Sequence, residues 1–356
     1  MPQIINVNTR APYKIYITDD ELIPREIDFS KYTKAAIISD DNVWALYGEA
    51  VKASLKKRGL LVNRFVFPHG EASKNLNTVS RIYEFLDKGG ITRSDLIVAL
   101  GGGVTGDISG FAASTYLRGI DFLQMPTSLL AMVDSSIGGK TGVDIQSGKN
   151  LVGAFKQPIA VIINPKMLET LPYSYYIDGL GEIIKYAMIR SASLFEKLEA
   201  HTPSTLREIL PEIISECVNI KREIVENDEF EKGERMLLNF GHTLGHAIEK
   251  LCNFTGISHG VAVALGMELI SVAPMFSGEM AADDFTRLHN LLDKYGYFNI
   301  QTPEFDVTEI LKAALNDKKR RGNDISIIIC EKIGHGKIKK MPVSEFLNYS
   351  NNNLNE

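Results

Sequence analysis

Short apolar runs alternate with amphipathic stretches along the first half of the chain. The runs are rich in β-branched residues, as in KAAIISD (34–40), and therefore predict buried strands. The amphipathic stretches have helical spacing and end at glycine, as at Gly59. Alternation of strand and helix at this length is typical of a parallel sheet covered by helices. The predicted strands are 34–40, 61–67, 95–100, 119–127 and 160–165, and the predicted helices are 43–59 and 77–90.

Beyond about residue 172 the pattern changes to helical spacing and long apolar runs. Only DISIIICEKIG (324–334) has the composition of a strand. We therefore predict an α/β N-terminal domain over residues 1–172 and a mainly α-helical C-terminal domain over residues 173–356, with no internal repeat. The helices predicted in this half are 179–189, 204–228, 235–251, 260–276 and 283–296.

Size and composition agree with two domains. The chain has 356 residues, too many for one ordinary hydrophobic core. Hydrophobic residues make up 44% and charged residues 23%, as in soluble globular proteins. A net charge of −5 argues against a general nucleic-acid binder, which would present a basic surface.

The cysteines and the apolar segments bear on location. Cys217, Cys252 and Cys330 are scattered without C-x-x-C spacing, so we expect reduced thiols in a cytoplasmic protein. MPQIINVNTR, at the start, lacks a basic segment followed by an apolar one, and we expect no signal peptide. The most apolar window, 260–276, contains Glu268 and is broken by glycine and proline, so we expect no membrane span.

A glycine-rich loop follows the strand DLIVAL. Gly101, Gly103 and Gly106 form a G-x-G-x-x-G pattern that opens a predicted helix, the context in which a dinucleotide pyrophosphate is bound. Alone, this pattern is only slightly better evidence for a nucleotide site than for a plain strand-to-helix turn. The acid expected on the ribose does not follow the usual order, because Asp121 begins its strand, whereas Asp40 ends one that precedes the loop. The sequence therefore predicts a nucleotide domain with a topology unlike that of the common dehydrogenases.

Histidines of the second half suggest a metal site. His242 and His246 are four residues apart and share a helix face, as in zinc proteases, but no acid lies between them. His259 and Glu182 are further candidates, and a catalytic zinc usually takes three protein ligands. Spacing alone does not say which three of the four bind, although the shared face favours including both His242 and His246. We expect ordinary hydrogen-bonded roles for His201, His289 and His335.

Cations accompany the glycine loops and the histidines. Lys140 and Lys149 stand in a glycine-rich stretch that we expect to be irregular. A solvated surface would explain any one of these residues, but their concentration predicts an anionic substrate, a phosphate or a carboxylate. The other polar residues of this set are Asn150, Lys185, Lys221, Arg235 and Asn239.

Together these segments resemble one family, 3-dehydroquinate synthase of the sugar phosphate cyclases. The matching motifs follow one another in order over about residues 40–320, nearly the whole chain. VDSSIGGKT and LLNFGHTLGHAIE are the most specific of them. The others are PHGEASK, GGGVTGD, STYLRG, GKNLVGAF, TLP, GEIIKY, SHGVAV and DKK.

The resemblance implies a ligand set and a substrate pocket. Glu182, His242 and His259 would bind the metal, with zinc the usual ion and cobalt an alternative, and His246 would face the substrate phosphate. Arg118 would reach over from the neighbouring subunit of a homodimer, and Lys318 or Lys319 of the DKK motif would complete the anion pocket. The remaining implied substrate contacts are Asp134, Lys140, Asn150, Lys185, Lys221, Arg235 and Asn239.

The resemblance also implies that NAD is the cofactor. The expected NAD contacts are Asp40, Glu71, Lys74, Gly102, Gly103, Val104, Thr105, Gly106, Asp107, Thr127, Ser128, Asp134, Lys140, Lys149 and Thr170.

The implied reaction converts 3-deoxy-D-arabino-heptulosonate 7-phosphate into 3-dehydroquinate and phosphate in the shikimate pathway. NAD oxidises the substrate transiently, phosphate leaves by β-elimination, the hydride returns, and an intramolecular aldol step closes the ring. Two enzyme classes are alternatives, a sister cyclase of the 2-deoxy-scyllo-inosose or valiolone type and an NAD- and metal-dependent polyol dehydrogenase. Arg235, Asn239 and the GGKT segment favour dehydroquinate synthase, because a carboxylate substrate needs its own cation. A nucleotide-sensing protein without activity is disfavoured by the complete set of metal ligands and cations.

Overall fold

In the computed structural model the described residues are 1–253, 256–300, 306–318 and 324–346, and the side chains of 316–318 lie outside the described part. The chain forms two compact units. The first comprises Met1–Tyr176 and Lys221–Phe230, and the second comprises Ile177–Ile220 and the residues from Glu231 onward. The functional division predicted after residue 172 stays a prediction.

The first unit is built on a mostly parallel sheet. Its strand order is β1-β2-β9-β6-β5-β3-β4, and every neighbouring pair is parallel except β1 with β2. β5 is buried along its whole length, as expected for a central strand of a covered parallel sheet. The strands of this unit are β1 Gln3–Val7, β2 Tyr13–Ile17, β3 Lys34–Asp40, β4 Leu61–Phe67, β5 Leu96–Gly101, β6 Asp121–Pro126, β7 Lys140–Ile145, β8 Gly148–Phe155 and β9 Ala160–Ile163.

Helices link these strands and share their core. α3 begins where the Asn75 side chain accepts a hydrogen bond from the Thr78 N–H at 2.9 Å, a typical N-cap. Ile82 of α3 and Ile108 of α4 are buried in one apolar cluster with the strand residue Ile97. The helices are α1 Asp41–Val43, continued by a π-helical turn Trp44–Gly48 into α2 Glu49–Lys57, then α3 Leu76–Lys88 and α4 Gly103–Thr115.

The sequence did not predict β1, β2 or the hairpin of β7 with β8. The hairpin corrects one expectation directly, because Lys140 and Lys149 lie on paired strands and not in irregular chain. Glycine is depleted in strands, so a glycine-rich segment does not have the composition by which a strand is predicted. Here Gly142 and Gly153 stand opposite each other in the register of the two strands.

A later segment of the chain returns to complete the first unit. The backbone N–H of Asn8 donates to Glu226 Oε1 at 2.7 Å, and the Arg10 N–H donates to Glu229 Oε2 at 3.1 Å. The Gln157 amide donates to the other oxygen of Glu229 at 2.9 Å. The first unit is therefore discontinuous in sequence.

The second unit is mainly helical, which confirms the predicted fold class. One predicted helix, 235–251, is wrong at its start. Residues Glu234–Asn239 form a 3-10 turn, Gly241 adopts a left-handed φ of 77°, and the α-helix begins only at His242. The chain passes from one unit to the other within α5, within α7 and again between Phe230 and Glu231. The helices are α5 Tyr173–Arg190, α6 Ala192–Ala200, α7 Leu210–Asn227, α8 His242–Leu251, α9 His259–Phe276, α10 Ala282–Lys294 and α11 Val307–Lys318, and the strands are β10 Asp324–Lys332 and the unpredicted β11 His335–Pro342.

α9 differs from the expectation that glycine and proline would interrupt it. It is one unbroken helix of 18 residues with Pro274 inside. By length and composition it is the one helix among the described residues that could cross a membrane, yet 61% of it is buried inside the protein. This is weak evidence for a membrane span, because a buried core helix has the same composition.

Candidate metal and nucleotide sites

Each predicted metal ligand stands beside a glycine at a close contact between helices. Gly181 precedes Glu182 on α5, and a β-carbon there would overlap the carbonyl of Gly260 on α9. Gly260 in turn follows His259, and a β-carbon there would overlap the Asp178 carbonyl of α5. The missing side chains let the two backbones touch, which brings the first turn of α9 against Glu182.

The start of α8 is placed in a similar way. Gly241 precedes His242, and a β-carbon at Gly241 would lie 2.6 Å from the carbonyl oxygen of Val263 on α9. Its positive φ is a conformation that side chains with a β-carbon adopt rarely. α8 can therefore begin at His242 in direct contact with the middle of α9.

These contacts converge on a buried set of three ligand atoms. Glu182 Oε1 lies 3.4 Å from His242 Nε2 and 3.4 Å from His259 Nε2. The three atoms lie within 4.8 Å of one another. Glu182 is 1% exposed, and its Oε1 accepts no hydrogen bond from the described residues. A buried carboxylate oxygen without a donor, facing two imidazoles, suits a cation.

The opposite ring nitrogens have partners of their own. His242 Nδ1 lies 3.1 Å from the Phe240 carbonyl, and His259 Nδ1 lies 3.3 Å from Glu249 Oε2. Both partners only accept hydrogen bonds, so each Nδ1 carries a proton. Each Nε2 is then the atom through which the ring can bind a metal, and two histidines with one glutamate are a known catalytic zinc set.

Charge around Glu182 keeps it ionised. Burial alone would raise the pKa of Glu182, but the Lys185 ammonium and the His242 imidazole hold it well below its usual range. Lys185 pairs with Glu182 Oε2 and is 1% exposed. For His259, burial would lower the pKa, yet contacts with Glu182 and Glu249 raise it to about 10. The cause is geometric, because Glu182 and Glu249 face the His259 ring from its two nitrogens.

His246 lies one helical turn beyond His242 and outside the set around Glu182. Its exposed ring is 5.4 Å from that of His242 and 5.8 Å from that of His259, centroid to centroid. With Glu249 and His259 it forms a second group of potential ligands. Although His242 and His246 are four residues apart on one helix, only His242 belongs to the set around Glu182.

The first unit gathers the predicted NAD residues at one edge of its sheet. β4 and β5 flank β3 on opposite sides, so the chain order reverses there, and ligands of open α/β sheets bind at such a point. Asp40 ends β3 and accepts a hydrogen bond from Thr105 Oγ1 of α4 at 3.2 Å. Although Asp40 precedes the glycine loop in sequence, the parallel pairing of β3 with β5 makes them spatial neighbours.

The glycine loop leads directly into a helix N-terminus. α4 begins after Gly102, and no side chain caps it, so its first N–H groups are available to an anion. Gly103, Val104 and Gly106 lie in the first turns of this helix. Asp121, by contrast, begins β6 and accepts a hydrogen bond from the Tyr32 hydroxyl at 2.7 Å.

Charged and hydroxyl side chains border this edge. Lys74 Nζ lies 2.7 Å from Asp107 Oδ2 and 3.9 Å from Glu71 Oε1. Burial would lower the pKa of Lys74, but these two carboxylates raise it, so the ammonium stays charged. The Thr127 N–H donates to the Gly101 carbonyl at 3.0 Å, and Ser128 follows it after β6. Thr170 Oγ1 lies 2.5 Å from the Tyr47 hydroxyl.

The predicted substrate residues are distributed over the two units. In the first unit, Lys221 donates to Asp134 Oδ1 at 2.7 Å, and Asn150 on β8 has a left-handed φ of 54°. In the second unit, Arg235 is 1% exposed, and the Asn239 amide donates to Glu231 Oε1 at 2.8 Å.

The sequence interpretation missed three acids. Glu231 has a left-handed φ of 57° and contacts Asn239, and Asp178 and Glu249 contact the segment around His259. The final Glu of the GHAIE motif was the available clue for Glu249. A lone acid gives no comparable clue for Asp178.

Arg118 is not part of either gathered set. α4 ends at Thr115, so the helix does not continue to Arg118. Leu117 and Arg118 both have positive φ, 51° and 66°, in a sharp exposed turn. Lys319 lies outside the described residues, and so does the side chain of Lys318.

The remaining histidines have the ordinary roles expected of them. His201 Nδ1 lies 2.8 Å from the Lys197 carbonyl, and His289 Nδ1 lies 2.7 Å from Glu268 Oε1. His335 lies 3.5 Å from Glu331 and is largely exposed.

Family models match most of the chain. The model described as 3-dehydroquinate synthase N-terminal matches residues 64–178, and the one described as 3-dehydroquinate synthase C-terminal matches 179–320. A 3-dehydroquinate synthase of Streptococcus suis is 46% identical over 321 residues, 90% of each chain. One of Streptococcus sanguinis is 43% identical over 347 residues, 96% of this chain and 98% of the relative.

Solved structures share the fold at lower identity. A 2-deoxy-scyllo-inosose synthase complexed with carbaglucose-6-phosphate, NAD⁺ and Co²⁺ is 25% identical, with a TM-score of 0.85 over 99% of this chain and 100% of that one. A 2-epi-5-epi-valiolone synthase from Streptomyces hygroscopicus with NAD⁺ and Zn²⁺ bound is 26% identical, with a TM-score of 0.85 over 97% of each chain. A glycerol dehydrogenase from Schizosaccharomyces pombe, 15% identical with a TM-score of 0.61 over 90% and 82%, shares the fold alone.

The glycine contacts lead to a test of how the metal set is built. Gly260→Ala should destabilise the protein by about 1–3 kcal/mol or more, because the new methyl overlaps the Asp178 carbonyl. It should also weaken zinc binding, since the first turn of α9 carries His259. Urea unfolding and competition with a chelator of known zinc affinity measure the two effects.

Gly278→Ala, in the exposed turn after α9, is the matched control. A β-carbon there meets nothing within 4 Å, and only its positive φ costs energy, about 1–2 kcal/mol. Zinc affinity should be unchanged. Zinc binding as tight in Gly260→Ala as in the wild type would show that the close contact does not place His259.

Proposed function

Because the chain belongs to the 3-dehydroquinate synthase family, we propose that it converts 3-deoxy-D-arabino-heptulosonate 7-phosphate into 3-dehydroquinate and phosphate. This is a carbon–oxygen lyase reaction of the shikimate pathway to chorismate and the aromatic amino acids. The observation that carries the proposal is the buried set of Glu182, His242 and His259 with Lys185 beside it. Relatives 43–47% identical over most of the chain carry that enzyme's name.

We propose that each unit supplies one cofactor site. In the first unit, Asp40 suits a ribose hydroxyl, and the uncapped start of α4 suits the pyrophosphate of NAD. In the second, Glu182, His242 and His259 would hold zinc or cobalt. When bound, NAD supplies reversible hydride transfer and the metal ion supplies Lewis-acid polarisation of substrate oxygens.

The protein's own task in this proposal is to hold an anion in one orientation. Lys185 and Arg235 are fully buried cations of the second unit, and Lys221 is a nearly buried cation of the first. Lys185 is paired with Glu182 and Lys221 with Asp134, so these ammonium groups are held in fixed positions from which they could also contact a phosphate or carboxylate. Within the second unit, Asn239 and His246 would add polar contacts. Within the first unit, Lys140 and Asn150 would do so, and Asp134 would orient Lys221. Fixed charges of this kind stabilise a reacting anion without reorganisation.

The proposal separates this chain from two other classes. The sister cyclases with solved structures are 25–26% identical to it, well below its dehydroquinate synthase relatives. The glycerol dehydrogenase shares the fold alone at 15% identity. An NAD-dependent polyol dehydrogenase would release NADH, which a synthase that returns its hydride does not. Buried Arg235 supports the carboxylate-bearing substrate, because a sugar phosphate without a carboxylate has no need of a second cation site.

Turnover distinguishes these classes. Zinc-loaded protein with NAD⁺ and the heptulosonate phosphate should release phosphate and dehydroquinate in equal amounts, and absorbance of NADH should not grow with product. Glucose 6-phosphate should release no phosphate. Stoichiometric NADH would indicate a dehydrogenase, and turnover of glucose 6-phosphate alone would indicate a sister cyclase.

Metal binding tests the ligand assignment separately. Glu182→Gln, His242→Ala and His259→Ala should each weaken zinc binding by more than about 100-fold, beyond the ~10–100-fold typical of residues that only orient a ligand. His246→Ala should keep its zinc and lose rate. Equilibrium dialysis and phosphate release measure the two properties. Loss of zinc from His246→Ala, with zinc retained in His259→Ala, would reverse the assignment.

We also propose a cytoplasmic homodimer in which Arg118 acts in the neighbouring subunit's pocket. The three cysteines are buried and form no disulfide within the described part of the chain, which suits a reducing compartment. The turn of Leu117 and Arg118 supports a role for Arg118 beyond its own chain, because positive φ at two successive non-glycine residues costs energy that a plain surface loop has no reason to bear. A two-fold interface exchanges the same element in both directions.

Mixed dimers test the shared pocket. Arg118→Ala and Lys140→Ala chains should each be inactive, and subunit exchange between them should restore activity. A mixed dimer then has one pocket with both defects and one with neither. Differently tagged chains verify the exchange. Proven exchange without recovery of activity would contradict the shared pocket.

A further inference from the structure

Two buried carboxylates outside the metal set lie against His259. Glu249 of α8 is 2% exposed, and its Oε2 lies 3.3 Å from His259 Nδ1. Asp178 of α5 is 9% exposed, and its Oδ1 accepts a hydrogen bond from the Gly260 N–H at 2.5 Å. One carboxylate therefore contacts the imidazole ring and the other contacts the backbone next to it.

The contact with Glu249 decides which nitrogen of His259 can bind a cation. A carboxylate only accepts hydrogen bonds, so it keeps a proton on Nδ1. Nε2, the nitrogen directed at Glu182 Oε1, is then the atom left to bind a metal. His242 has the same arrangement, but its partner is the neutral carbonyl of Phe240. An anionic partner makes the ring a more basic ligand than a carbonyl does.

Asp178 fixes the ring from the backbone side. α9 has Ser258 at its N-cap position, and the Ser258 side chain makes no capping hydrogen bond. The Asp178 carboxylate receives a first-turn N–H of this helix instead. Helix starts leave such donors unsatisfied, and a carboxylate there also complements the helix dipole. The turn that carries His259 is thus attached to α5, the helix that carries Glu182.

We propose that Glu249 is a positioning residue of the metal centre, whose carboxylate holds the Nδ1 proton of His259 and aims Nε2 at the metal, while Asp178 anchors the turn beneath it. This inference rests on the proposed metal centre and extends it beyond the three ligands. Loss of Glu249 leaves the Nδ1 proton without its acceptor, so the ring can rotate or bind through the wrong nitrogen.

A different use of Glu249 is chemically possible and makes a different prediction. His246, Glu249 and His259 could hold a second cation. Such a cation would take the Nδ1 side of His259, where the positioning role requires a proton. The two uses of Glu249 exclude each other, and the number of bound ions distinguishes them.

The experiment compares zinc affinity in Glu249→Ala, Glu249→Gln and Glu268→Gln, without NAD or substrate, by competition with a chelator. Glu268 is the matched control, because it belongs to a histidine–glutamate pair of the same unit, 2.7 Å from His289 and apart from the metal set. We expect about 10–100-fold weaker binding in Glu249→Ala. The zinc affinity of Glu249→Gln should lie between those of the wild type and Glu249→Ala, since an amide oxygen accepts a hydrogen bond from Nδ1–H but carries no charge. Glu268→Gln should bind zinc as tightly as the wild type does.

Histidine ¹⁵N NMR of the zinc-loaded protein supplies a second readout that a merely structural role would not change. The wild type should show a His259 Nδ1–H protected from solvent exchange, and Glu249→Gln, which preserves shape, should show faster exchange at that proton. If Glu249→Ala does not fold, the Gln variant alone decides through these two measurements.

Three results would overturn the inference. The first is unchanged zinc affinity and unchanged Nδ1–H protection in the folded Glu249→Gln variant. The second is two zinc ions per wild-type chain and one in the variant, which would make Glu249 a ligand of a second site. The third is a wild-type chain without zinc affinity, which would remove the metal centre itself. Failure to release phosphate, with the expected order of zinc affinities intact, would overturn only the proposed reaction.

Discussion

Direct contact between helix backbones brings together the three residues of the proposed metal centre. Helices usually pack about 8–10 Å apart, at a distance set by the side chains between them. Where Gly181 and Gly260 meet, there are no such side chains, and each glycine is adjacent in sequence to a proposed metal ligand, Glu182 or His259. The third ligand, His242, follows a glycine in contact with the same helix. Glycines at these contacts thus place one carboxylate and two imidazoles close together.

The nucleotide edge depends on a different constraint, the order of strands in a sheet. Parallel strands end on the same side, so loops that are far apart in sequence meet there. Asp40 and the glycine loop meet because β3 and β5 are paired, although a whole strand and two helical segments separate them along the chain. The first unit gathers its site by strand order, whereas the second does so by close helix packing.

The same distinction explains what could be predicted from sequence. Apolar periodicity identified the parallel strands other than β2, and most helices, because burial on one or both faces leaves a repeating pattern. It missed the hairpin of β7 with β8, where glycines replace the β-branched residues that indicate a strand. It also ran 235–251 together as one helix, since a left-handed glycine such as Gly241 interrupts a helix without changing the apolar pattern.

Within the candidate site, it was easier to predict which residues take part than which side chains they contact. Histidine spacing drew attention to His242, His246 and His259, but which nitrogen faces which neighbour depends on side chains brought in from other helices. Glu249 and Asp178 are ordinary acids in the sequence, and only their distances of 3.3 Å and 2.5 Å to the His259 region reveal them. No local pattern encodes such contacts, because each joins separate segments of the fold.

The discontinuity of the first unit affects how the protein can be made. A ribosome has synthesised the whole sheet by Ile163, yet Glu226 and Glu229, which bind the backbone of Asn8 and Arg10, have still to emerge. The contacts of the N-terminal part therefore cannot all form during translation until 66 more residues (229 − 163) have been added, including all of α7. The first unit can therefore be completed only after residues 177–220 of the second unit have been synthesised. A gene fragment cut between them would encode a sheet without its final segment, which disfavours the exchange of either half alone during evolution.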